Sequence, residues 1–432
     1  MKLSRIKGTR DYEPKDMILR EKTVSIIKAV YEKRGFVPLE TPAIEKWETL
    51  AGKAGGGAEI EKQTYNFLDF GGRRIGLRYE LTVGMIRYLS MNSNISMPFK
   101  RYQYGRVWRY EEYKQGRYRE FFQFDIDIIG SKSMLADAEV ISTAVEALDE
   151  VGVGLFTVVL NNRKLVEGVL NYLSIKSKKQ LEGAMRTIDK IAKLSRTEIY
   201  KEFRQYDIEK VQADEILNAI TRKGKLKCEL KKIRDAQKKN EFPSNKKIDD
   251  GLSELESLAG YLESFGVLNA CEFDASIVRG LAYYTGIVFE TFVIKKKSIG
   301  SVCSGGRYDD SIGAITGKDT PAVGISIGIE RILDILKGMT QLDITIDYFV
   351  AVVSDEFQKE AIKIARGLRN KGFSCEMDLM GRNFSNQMKY ANKCGAKNLV
   401  IVGPKDFAEG KVTLKDMATG KEKKVLIADI IA

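Results

Sequence analysis

Histidine is absent from the 432 residues of this chain. Its absence excludes metal sites built on imidazole, and it excludes triads or general bases that use a histidine side chain. Any chemistry must therefore use arginine, lysine, carboxylates, tyrosine, the backbone and ions supplied from outside. Phosphoryl and adenylyl transfer suit that set, because positioning and charge neutralisation supply most of their catalysis.

Cysteine is scarce, and no two cysteines stand in a Cys-x-x-Cys pair. The five residues are Cys228, Cys271, Cys303, Cys375 and Cys394. Scattered single cysteines indicate reduced thiols rather than a disulfide framework or a zinc ribbon. We therefore expect a cytoplasmic protein with no metal site built on histidine or cysteine.

Long apolar runs are also missing. No stretch approaches the roughly 18 apolar residues that a membrane span requires. The opening Met-Lys-Leu-Ser-Arg-Ile-Lys has no apolar stretch of the signal-peptide type. The sequence predicts no association with a membrane.

Negative charge is the scarcer sign, with 59 Asp and Glu against 71 Lys and Arg, a net charge of +12. Such a surplus favours a polyanionic partner such as nucleic acid. Many basic proteins have no such partner, so charge alone leaves both interpretations open.

The length of the chain allows two or three domains, each with its own core. Residues 15–34 have the apolar spacing of a helix. The face that this spacing aligns consists of Met17, Val24, Ile27 and Tyr31. Glycine-rich residues 52–57 are either a plain linker or the lid of a site. Period-two alternation predicts strands at residues 75–79, 100–110, 121–129 and 285–292.

A lysine-rich helical block at about residues 165–265 differs from the sequence on either side. Between Arg163 and Asp250 there are 23 Lys and Arg against 14 Asp and Glu. We interpret this block as an insertion within a domain that spans residues 1–340. It is either a solvated helical bundle or a surface that grips an RNA backbone.

Near residue 337 the sequence changes to an alternation of short strand and helix patterns. Residues 341–432 are therefore predicted to form a second, smaller domain. Helices are predicted at 356–371 and 384–394, and residues 418–420 have the composition of a turn. The predicted strands are residues 347–353, 373–378, 398–403, 411–416 and 422–427. This order is typical of a small mixed α/β domain.

The most regular strand pattern is Phe-Phe-Gln-Phe-Asp-Ile-Asp-Ile at residues 121–128. Alternation places the apolar residues Phe122, Phe124, Ile126 and Ile128 on one face. The opposite face carries Gln123, Asp125 and Asp127. Two carboxylates and an amide cannot be packed dry without partners, so this face either meets solvent or lines a polar pocket.

Arginines flank the short polar loop that precedes this strand. Arg109 ends the previous strand, and Arg117 begins the run that leads into the next. Arginines at the two ends of such a hairpin would converge on one spot. That spot could bind a triphosphate through charge-assisted bidentate contacts.

Residues 279–286 read Arg-Gly-Leu-Ala-Tyr-Tyr-Thr-Gly. Taken alone, this segment is typical of a tight turn with a surface arginine and core tyrosines. It nevertheless closely resembles the histidine-specific signature of histidyl-tRNA synthetases, and residues 7–11, 77–82 and 304–309 look like the same family. Residues 20–42, 105–121 and 322–331 are similar to the three motifs of class II aminoacyl-tRNA synthetases.

This resemblance implies an α/β (α+β) fold. Its parts would be an antiparallel-sheet catalytic domain with the helical insertion and a C-terminal mixed α/β anticodon-binding domain. The pattern is closer to the archaeal and eukaryotic one than to the bacterial one, judging by residues 78–82 and 124–127. The implied partners are ATP, Mg²⁺ on its triphosphate, histidine and tRNA(His), in a cytoplasmic homodimer.

The resemblance also implies roles for individual side chains. The catalytic arginines are Arg109, Arg279 and Arg331. Arg109, Arg117 and Arg331 would bind the ATP phosphates, whereas Arg279 would reach the substrate carboxylate and the α-phosphate.

The histidine-binding residues implied by the resemblance are Glu80, Thr82, Gln123, Asp127, Tyr283 and Tyr284. The first three would hold the α-amino group. Asp127 and Tyr284 would read the imidazole, because a carboxylate and a phenol can satisfy both ring nitrogens.

Two positions depart from the family pattern: Ala282 stands where the family often has Asp, and Phe122 where it often has His or Tyr. Two alternative functions share parts of the pattern. A non-enzymatic regulatory paralogue would lack the C-terminal domain and would have lost the segment at residues 279–284. A class II enzyme for another amino acid is disfavoured by the paired tyrosines and Asp127.

Overall fold

The computed structural model describes residues 3–52, 58–92, 94–113, 116–191, 194–278, 284–339 and 345–431. The chain divides into two compact units. The first contains residues 1–11 and 19–340, and the second contains residues 341–432 together with 12–18.

The strands up to residue 340 include all four that were predicted in this part of the chain. They are β1 Val37–Pro38, β2 Ile44–Lys46, β3 Asn66–Leu68, β4 Arg74–Leu77, β5 Phe99–Trp108, β6 Glu120–Ile129, β7 Phe156–Asn162, β8 Lys223–Lys225, β9 Cys271–Asp274, β10 Ile287–Val293, β11 Cys303–Arg307 and β12 Ala322–Gly328. The predictions at residues 75–79, 100–110, 121–129 and 285–292 are confirmed as β4, β5, β6 and β10, with ends displaced by one or two residues.

The helices in the same part of the chain vary widely in length. They are α1 Pro14–Lys33, α2 Trp47–Ala51, α3 Ala58–Gln63, α4 Thr82–Met91, α5 Met134–Val151, α6 Arg163–Tyr172, α7 Lys178–Lys190, α8 Arg196–Arg204, α9 Lys210–Ile220, α10 Leu226–Lys238, α11 Lys246–Ser264, α12 Asp309–Thr316 and α13 Ile329–Leu336. Of the predicted glycine-rich loop at 52–57, residues 53–57 lie outside the described residues.

A nine-stranded sheet organises the first unit, in the order β1-β5-β6-β12-β11-β10-β7-β9-β8. Its central pairs, from β5–β6 through β10–β7, are antiparallel, whereas β1–β5 and β7–β9 are parallel. A separate three-stranded sheet has the order β2-β4-β3. The antiparallel-sheet domain predicted from the sequence is thus confirmed.

Helix α1 covers the apolar face of β6. The Tyr31 and Phe124 rings meet edge to face with centroids 4.9 Å apart, and Tyr31 also contacts Phe36. The predicted apolar face of α1 was only partly right, since its buried residues include Arg20 and Thr23. The Arg20 guanidinium lies 4.5 Å from the centre of the Phe122 ring, and the Thr23 hydroxyl donates to the Leu19 carbonyl, so both polar side chains have partners.

Helices α6 to α11 follow β7 and form the lysine-rich block. Three of these helices begin at a residue whose side chain caps the first turn. Ser177, Ser195 and Asn245 each accept a hydrogen bond from a backbone N–H in the first turn of α7, α8 and α11, respectively. The buried side is apolar and includes Leu165, Val169, Leu252, Leu255 and Leu258. The lysines stay on the outside, as an amphipathic pattern requires.

The second unit has a five-stranded sheet in the order β14-β13-β15-β16-β17. Its elements are β13 Ile346–Val352, α14 Gln358–Asn370, β14 Cys375–Met377, α15 Phe384–Lys393, β15 Ala396–Val402, α16 Pro404–Ala408, β16 Lys411–Asp416, β17 Glu422–Leu426 and α17 Ile427–Ile431. The first three strands are parallel and the last two antiparallel. Gly420, with φ of 72°, occupies the left-handed conformation that the predicted turn requires.

Candidate active site

The polar face of β6 is buried. Gln123, Asp125 and Asp127 expose only 7%, 4% and 2% of their surface. This excludes the solvent-facing alternative and places these side chains in a buried polar region over the sheet. The neighbouring strands supply its sides, because Asp127 lies opposite Arg101 of β5 and Gly324 of β12.

Asp127 stands at the centre of a buried polar cluster. Its Oδ2 atom lies 2.6 Å from Nη2 of Arg101, and its Oδ1 atom accepts a hydrogen bond from the Tyr308 hydroxyl. Burial raises the pKa of Asp127, although Arg101 and Tyr308 oppose that shift. Burial also raises the pKa of Tyr308 far above its usual value, so the phenol remains a neutral donor.

Glycines make room for the pocket. A Cβ atom on Gly324 would collide with the Asp127 carboxylate, and one on Gly306 would lie 2.8 Å from the Tyr284 ring. Tyr284 is buried beside Tyr308 in a cluster that also contains Met85 of α4. The two tyrosines and Asp127 are therefore brought together over the glycine-lined middle of the sheet.

Glu80 and Thr82 lie where α4 begins. The Glu80 carboxylate accepts hydrogen bonds from the backbone N–H groups of Thr82, at 2.5 Å, and Val83, at 2.7 Å. These bonds satisfy two of the N–H groups that a helix start leaves without partners. An ionised carboxylate has about four acceptor sites, so Glu80 keeps capacity to accept from a ligand.

Arg109 joins the start of the hairpin loop to the polar face of β6. Its Nε atom donates to the Tyr79 carbonyl at 3.1 Å, and an Nη atom donates to Gln123 Oε1 at 3.3 Å. Its guanidinium also lies 4.3 Å from the centre of the Tyr79 ring and 5.0 Å from that of Phe121. These contacts fix the plane of the guanidinium before any ligand arrives.

Arg331 and Arg117 extend this positive region. Arg331, at the start of α13, donates to the carbonyls of Gly116 and Ser301. Burial lowers the pKa of Arg331, and the charges of Arg117 and Arg109 lower it further. Arg117 pairs with Glu111 at 2.6 Å. Three arginines are thus close enough to repel one another, an arrangement that an anion would relieve.

Arg279 and Tyr283 lie outside the described residues, as do residues 280–282. Their position in the chain is bracketed by Val278 and Tyr284, which are both buried. The predicted roles of Arg279 and Tyr283 therefore stay predictions.

Sequence reasoning missed three residues of this site. Arg101 pairs with Asp127, Tyr308 donates to it, and the Ser326 hydroxyl accepts from Gln123 Nε2. The polar residues Arg101 and Gln103 alternate along β5, and this pattern could have indicated that they share a face with the carboxylates of β6. In the paired strands Arg101 stands opposite Asp127 and Gln103 opposite Asp125. Tyr308 lies 181 residues from Asp127, so only the fold brings it there.

The site as a whole combines an antiparallel sheet, a cluster of arginines at a hairpin and at a strand-to-helix junction, and a carboxylate-lined pocket beside them. These features define a class II aminoacyl-tRNA synthetase. Residues 8–332 match the family described as histidyl-tRNA synthetase, and residues 347–432 match the anticodon binding domain. The chain belongs to the histidyl-tRNA synthetase family, whose reaction uses ATP.

Known relatives are similar along their whole length. A histidine–tRNA ligase of Pyrococcus furiosus is 37% identical, with 99% of this chain and 98% of that protein covered. Histidine–tRNA ligase 1 of Bacillus anthracis is 36% identical, with 100% and 99% covered. A crystal structure of histidyl-tRNA synthetase from Nostoc sp. PCC 7120 is 30% identical, with a TM-score of 0.85 and 100% and 99% covered.

These matches bear on the two alternative functions. The similarity includes the C-terminal anticodon binding domain, which the regulatory paralogue would lack. It also extends to relatives named for histidine rather than another amino acid. In the part of the chain that the structure describes, no helix has the length and apolar character needed to cross a bilayer.

Proposed function

We propose that this chain activates histidine with ATP to give histidyl-adenylate and pyrophosphate, and then transfers the histidyl group to tRNA(His). The observation that carries this proposal is the buried polar cluster around Asp127, with the arginine cluster next to it on the same sheet. Asp127, Tyr284 and Tyr308 would bind the imidazole. Arg109, which hydrogen-bonds Gln123 of the same strand as Asp127, and Arg331 would bind the phosphates.

Activation needs no general base. A carboxylate oxygen of histidine attacks the α-phosphorus of ATP, a P–O bond breaks, and pyrophosphate leaves with its electron pair. Arg109, Arg331 and Arg279 would stabilise the negative charge that develops on the phosphates. Fixed donors do this best when they are already oriented, as the contacts of Arg109 and Arg331 make them.

Selection of histidine would rest on hydrogen bonds to both ring nitrogens. Asp127 would accept from the ring N–H, and Tyr284, with Tyr283 beside it, would complete the recognition. Glu80, Thr82 and Gln123 would hold the α-amino group. A substrate that lacks a ring nitrogen would leave a buried polar group of the protein without a partner, which rejects it strongly.

Mg²⁺ is proposed to enter with ATP. The described residues hold no group of three or more acidic, histidine or cysteine side chains that could form a metal site. Mg²⁺ commonly keeps several waters and uses one or two carboxylates with substrate phosphates, so this donor set fits. Glu111, which pairs with Arg117 at 2.6 Å, and Glu290 are carboxylates near the arginine cluster, and one or both would hold the ion directly or through its waters. When bound, the ion would neutralise phosphate charge.

The transfer step would need the tRNA held by the second unit. Several lysines lie in the second half of this unit, and of these Lys397 and Lys411 pair with Asp347 and Glu409. Lys389 and Lys393 are exposed, four residues apart on α15, with no ion pair to another described residue. They are the better candidates for phosphate contacts.

A homodimer in the cytoplasm completes the proposal. The dimer is implied by the family resemblance, and light scattering should give twice the chain mass of 48.6 kDa. All five cysteines are free thiols, which suits a reducing compartment.

Pyrophosphate exchange with each of the twenty amino acids in turn tests the activation step. Exchange should occur with histidine and depend on ATP and magnesium. Exchange with none of the amino acids would contradict the proposed activity. Exchange with another amino acid alone would contradict the assignment of the pocket.

Binding of tRNA at several salt concentrations tests the second unit. Lys389→Ala and Lys393→Ala should each weaken binding and make its salt dependence shallower by about 0.7–0.9 in the log–log slope. Lys397→Ala is the matched control, because it removes the same charge from a lysine already paired with Asp347. Equal effects of all three substitutions would argue against α15 as the contact surface.

A further inference from the structure

Asp125 is a buried carboxylate with one oxygen left over. It lies on β6 between Gln123 and Asp127 and exposes 4% of its surface. The Ser326 hydroxyl hydrogen-bonds its side chain. Its Oδ1 atom has no hydrogen-bond partner among the described residues. A buried acceptor of this kind destabilises the folded chain unless a donor or a cation pairs with it.

The nearby cations do not supply that partner. Arg101 lies 2.6 Å from Asp127 and donates to Gln103 at 3.5 Å, and no hydrogen bond joins it to Asp125 although its Nε and Nη2 atoms have no hydrogen-bond partner among the described residues. Arg78 donates to the Arg106 carbonyl at 2.8 Å and to the Thr41 carbonyl at 2.7 Å. Burial opposes ionisation of Asp125 most, the charge of Arg101 favours it, and the charges of Asp127 and Glu80 oppose it. Because the net pKa shift is upward, a further cation at Oδ1 would stabilise the ionised carboxylate.

The position of Asp125 on β6 indicates that the cation belongs to the substrate. Residues two apart on a strand are about 7 Å apart, so a ligand reaching from Gln123 to Asp127 passes over Asp125. Gln123 connects to Asp125 through the shared Ser326 hydroxyl, and Glu80 acts on it electrostatically. These two neighbours are the residues assigned above to the α-amino group.

We propose that Asp125 binds the α-ammonium group of histidine through Oδ1, as a further specificity-determining residue beside Glu80 and Gln123. The proposal rests on the histidine-activating function proposed above. Near neutral pH the α-amino group is mostly the ammonium cation, whereas the imidazole is largely neutral. A full cation is therefore the group that best offsets a buried carboxylate.

Binding of the ammonium would be coupled to loss of a proton from Asp125. Burial raises the pKa of Asp125 to about 7, so without a cation the carboxylate readily takes up a proton. Arrival of the ammonium would favour the ionised form and release that proton. A ligand with the imidazole but without the ammonium would not.

Two substrate fragments separate the ammonium from the imidazole. Histidinol has both groups but no carboxylate, and imidazolepropionate lacks the ammonium. Each is measured as an inhibitor of histidine-dependent pyrophosphate exchange in the wild type, Asp125→Asn and Asp125→Ser. Histidinol inhibition should weaken by about 10- to 100-fold in both variants, the loss of a hydrogen bond to a charged group. Imidazolepropionate inhibition should change less than about 2-fold.

Asp127→Asn serves as the contrasting variant. It should weaken both inhibitors to a similar extent, because both carry the imidazole that Asp127 is proposed to read. The ratio of the two inhibition constants within one preparation does not depend on how much of it is folded. A purely structural role for Asp125 would leave that ratio unchanged and would overturn the proposal.

Calorimetry on the wild type gives a second test that needs no variant. Near pH 7, in buffers of different ionisation enthalpy, histidinol should release more protons on binding than imidazolepropionate does. Equal proton release would contradict the proposal, as would equal weakening of both inhibitors by the Asp125 variants. Absence of histidine-dependent exchange in the wild type would instead overturn the proposed function itself.

Discussion

Two ion pairs of similar length, one in each unit of the chain, have carboxylates whose pKa values shift in opposite directions. Asp127 and Arg101 are 2.6 Å apart with side chains 3% and 0% exposed. Asp347 and Lys397 are 2.8 Å apart with side chains 30% and 58% exposed. Burial raises the pKa of Asp127, whereas Lys397 and Ser374 lower the pKa of Asp347 to about 2.

The distance between the charged atoms therefore does not by itself set how much an ion pair stabilises the folded chain. A buried carboxylate loses its hydration, and a good partner only partly offsets that loss. An exposed carboxylate keeps its hydration and gains from every donor nearby, although salt screens the gain. The buried region is therefore sensitive to the removal of any partner, and the exposed region is tolerant. Five predictions test this comparison.

The largest effect should follow from Arg101→Ala. The substitution leaves Asp127 buried without its cation, which should lower the free energy of unfolding by about 3–5 kcal/mol. Urea denaturation near pH 7.5 measures it. Adding Asp127→Asn to the same protein should restore part of the loss, because the unpaired charge is then gone. No recovery in the double variant would mean that packing, not charge, explains the loss.

Arg279→Ala should impair chemistry rather than folding. We expect adenylate formation to slow by on the order of 10²–10³, the cost of one preoriented transition-state donor. Single-turnover formation of histidyl-adenylate measures the rate. The urea midpoint should stay near that of the wild type. A variant with wild-type exchange would remove Arg279 from the mechanism.

Tyr284→Phe and Asp127→Asn should weaken the use of histidine more than the use of ATP. Each removes one hydrogen-bonding group from the imidazole pocket, at a cost of roughly 1–3 kcal/mol. The KM values for histidine and ATP in pyrophosphate exchange provide the comparison. A rise in the KM for ATP alone would show that the pocket assignment is wrong.

Asp125→Asn should flatten the dependence of stability on pH. The pKa of Asp125 is about 7 in the folded chain against 3.8 as the ordinary value. Between these values the folded state binds the extra proton, so stability falls as pH rises, by up to about 1.4 kcal/mol per pH unit. Urea midpoints at pH 5, 6, 7 and 8 should show a shallower decline in the variant. Identical slopes would indicate that Asp125 does not titrate in this range.

Lys397→Ala should have the smallest effect. Exposed pairs contribute about 0.2–1 kcal/mol, and the contribution shrinks at high salt. Urea denaturation at 0.1 M and 1 M salt should show a small loss in the first and almost none in the second. A loss of stability as large as that in Arg101→Ala would contradict the conclusion that the exposed pair tolerates removal of its partner better than the buried pair.

Much of the fold was predictable because periodicity is local information. Alternation located β5, β6 and β10 to within two residues, and the turn signal located the β16–β17 hairpin. Helix α1 shows the limit. Its buried side includes Arg20 and Thr23, since Arg20 stacks on Phe122 from β6, a contact that no pattern within α1 reveals.

The candidate site divides in the same way. Alternation along β6 put Gln123, Asp125 and Asp127 on one face, and the resemblance to known synthetases implied roles for Gln123 and Asp127 but none for Asp125. Neither the alternation nor the resemblance showed whether that face is exposed to solvent or buried. The structure buries it and supplies its partners from β5 and β12.

Composition and short sequence patterns established that no histidine side chain takes part in the chemistry, that β4, β5, β6 and β10 are strands, and that the chain is similar to histidyl-tRNA synthetases. A short stretch of sequence contains all of this information. The contacts between distant segments required the folded chain: Arg101 meets Asp127, Tyr308 donates to Asp127 from 181 residues away, and the Asp125 Oδ1 atom is buried without a hydrogen-bond partner among the described residues. Strand register and burial decide such contacts, and both depend on how distant segments pack.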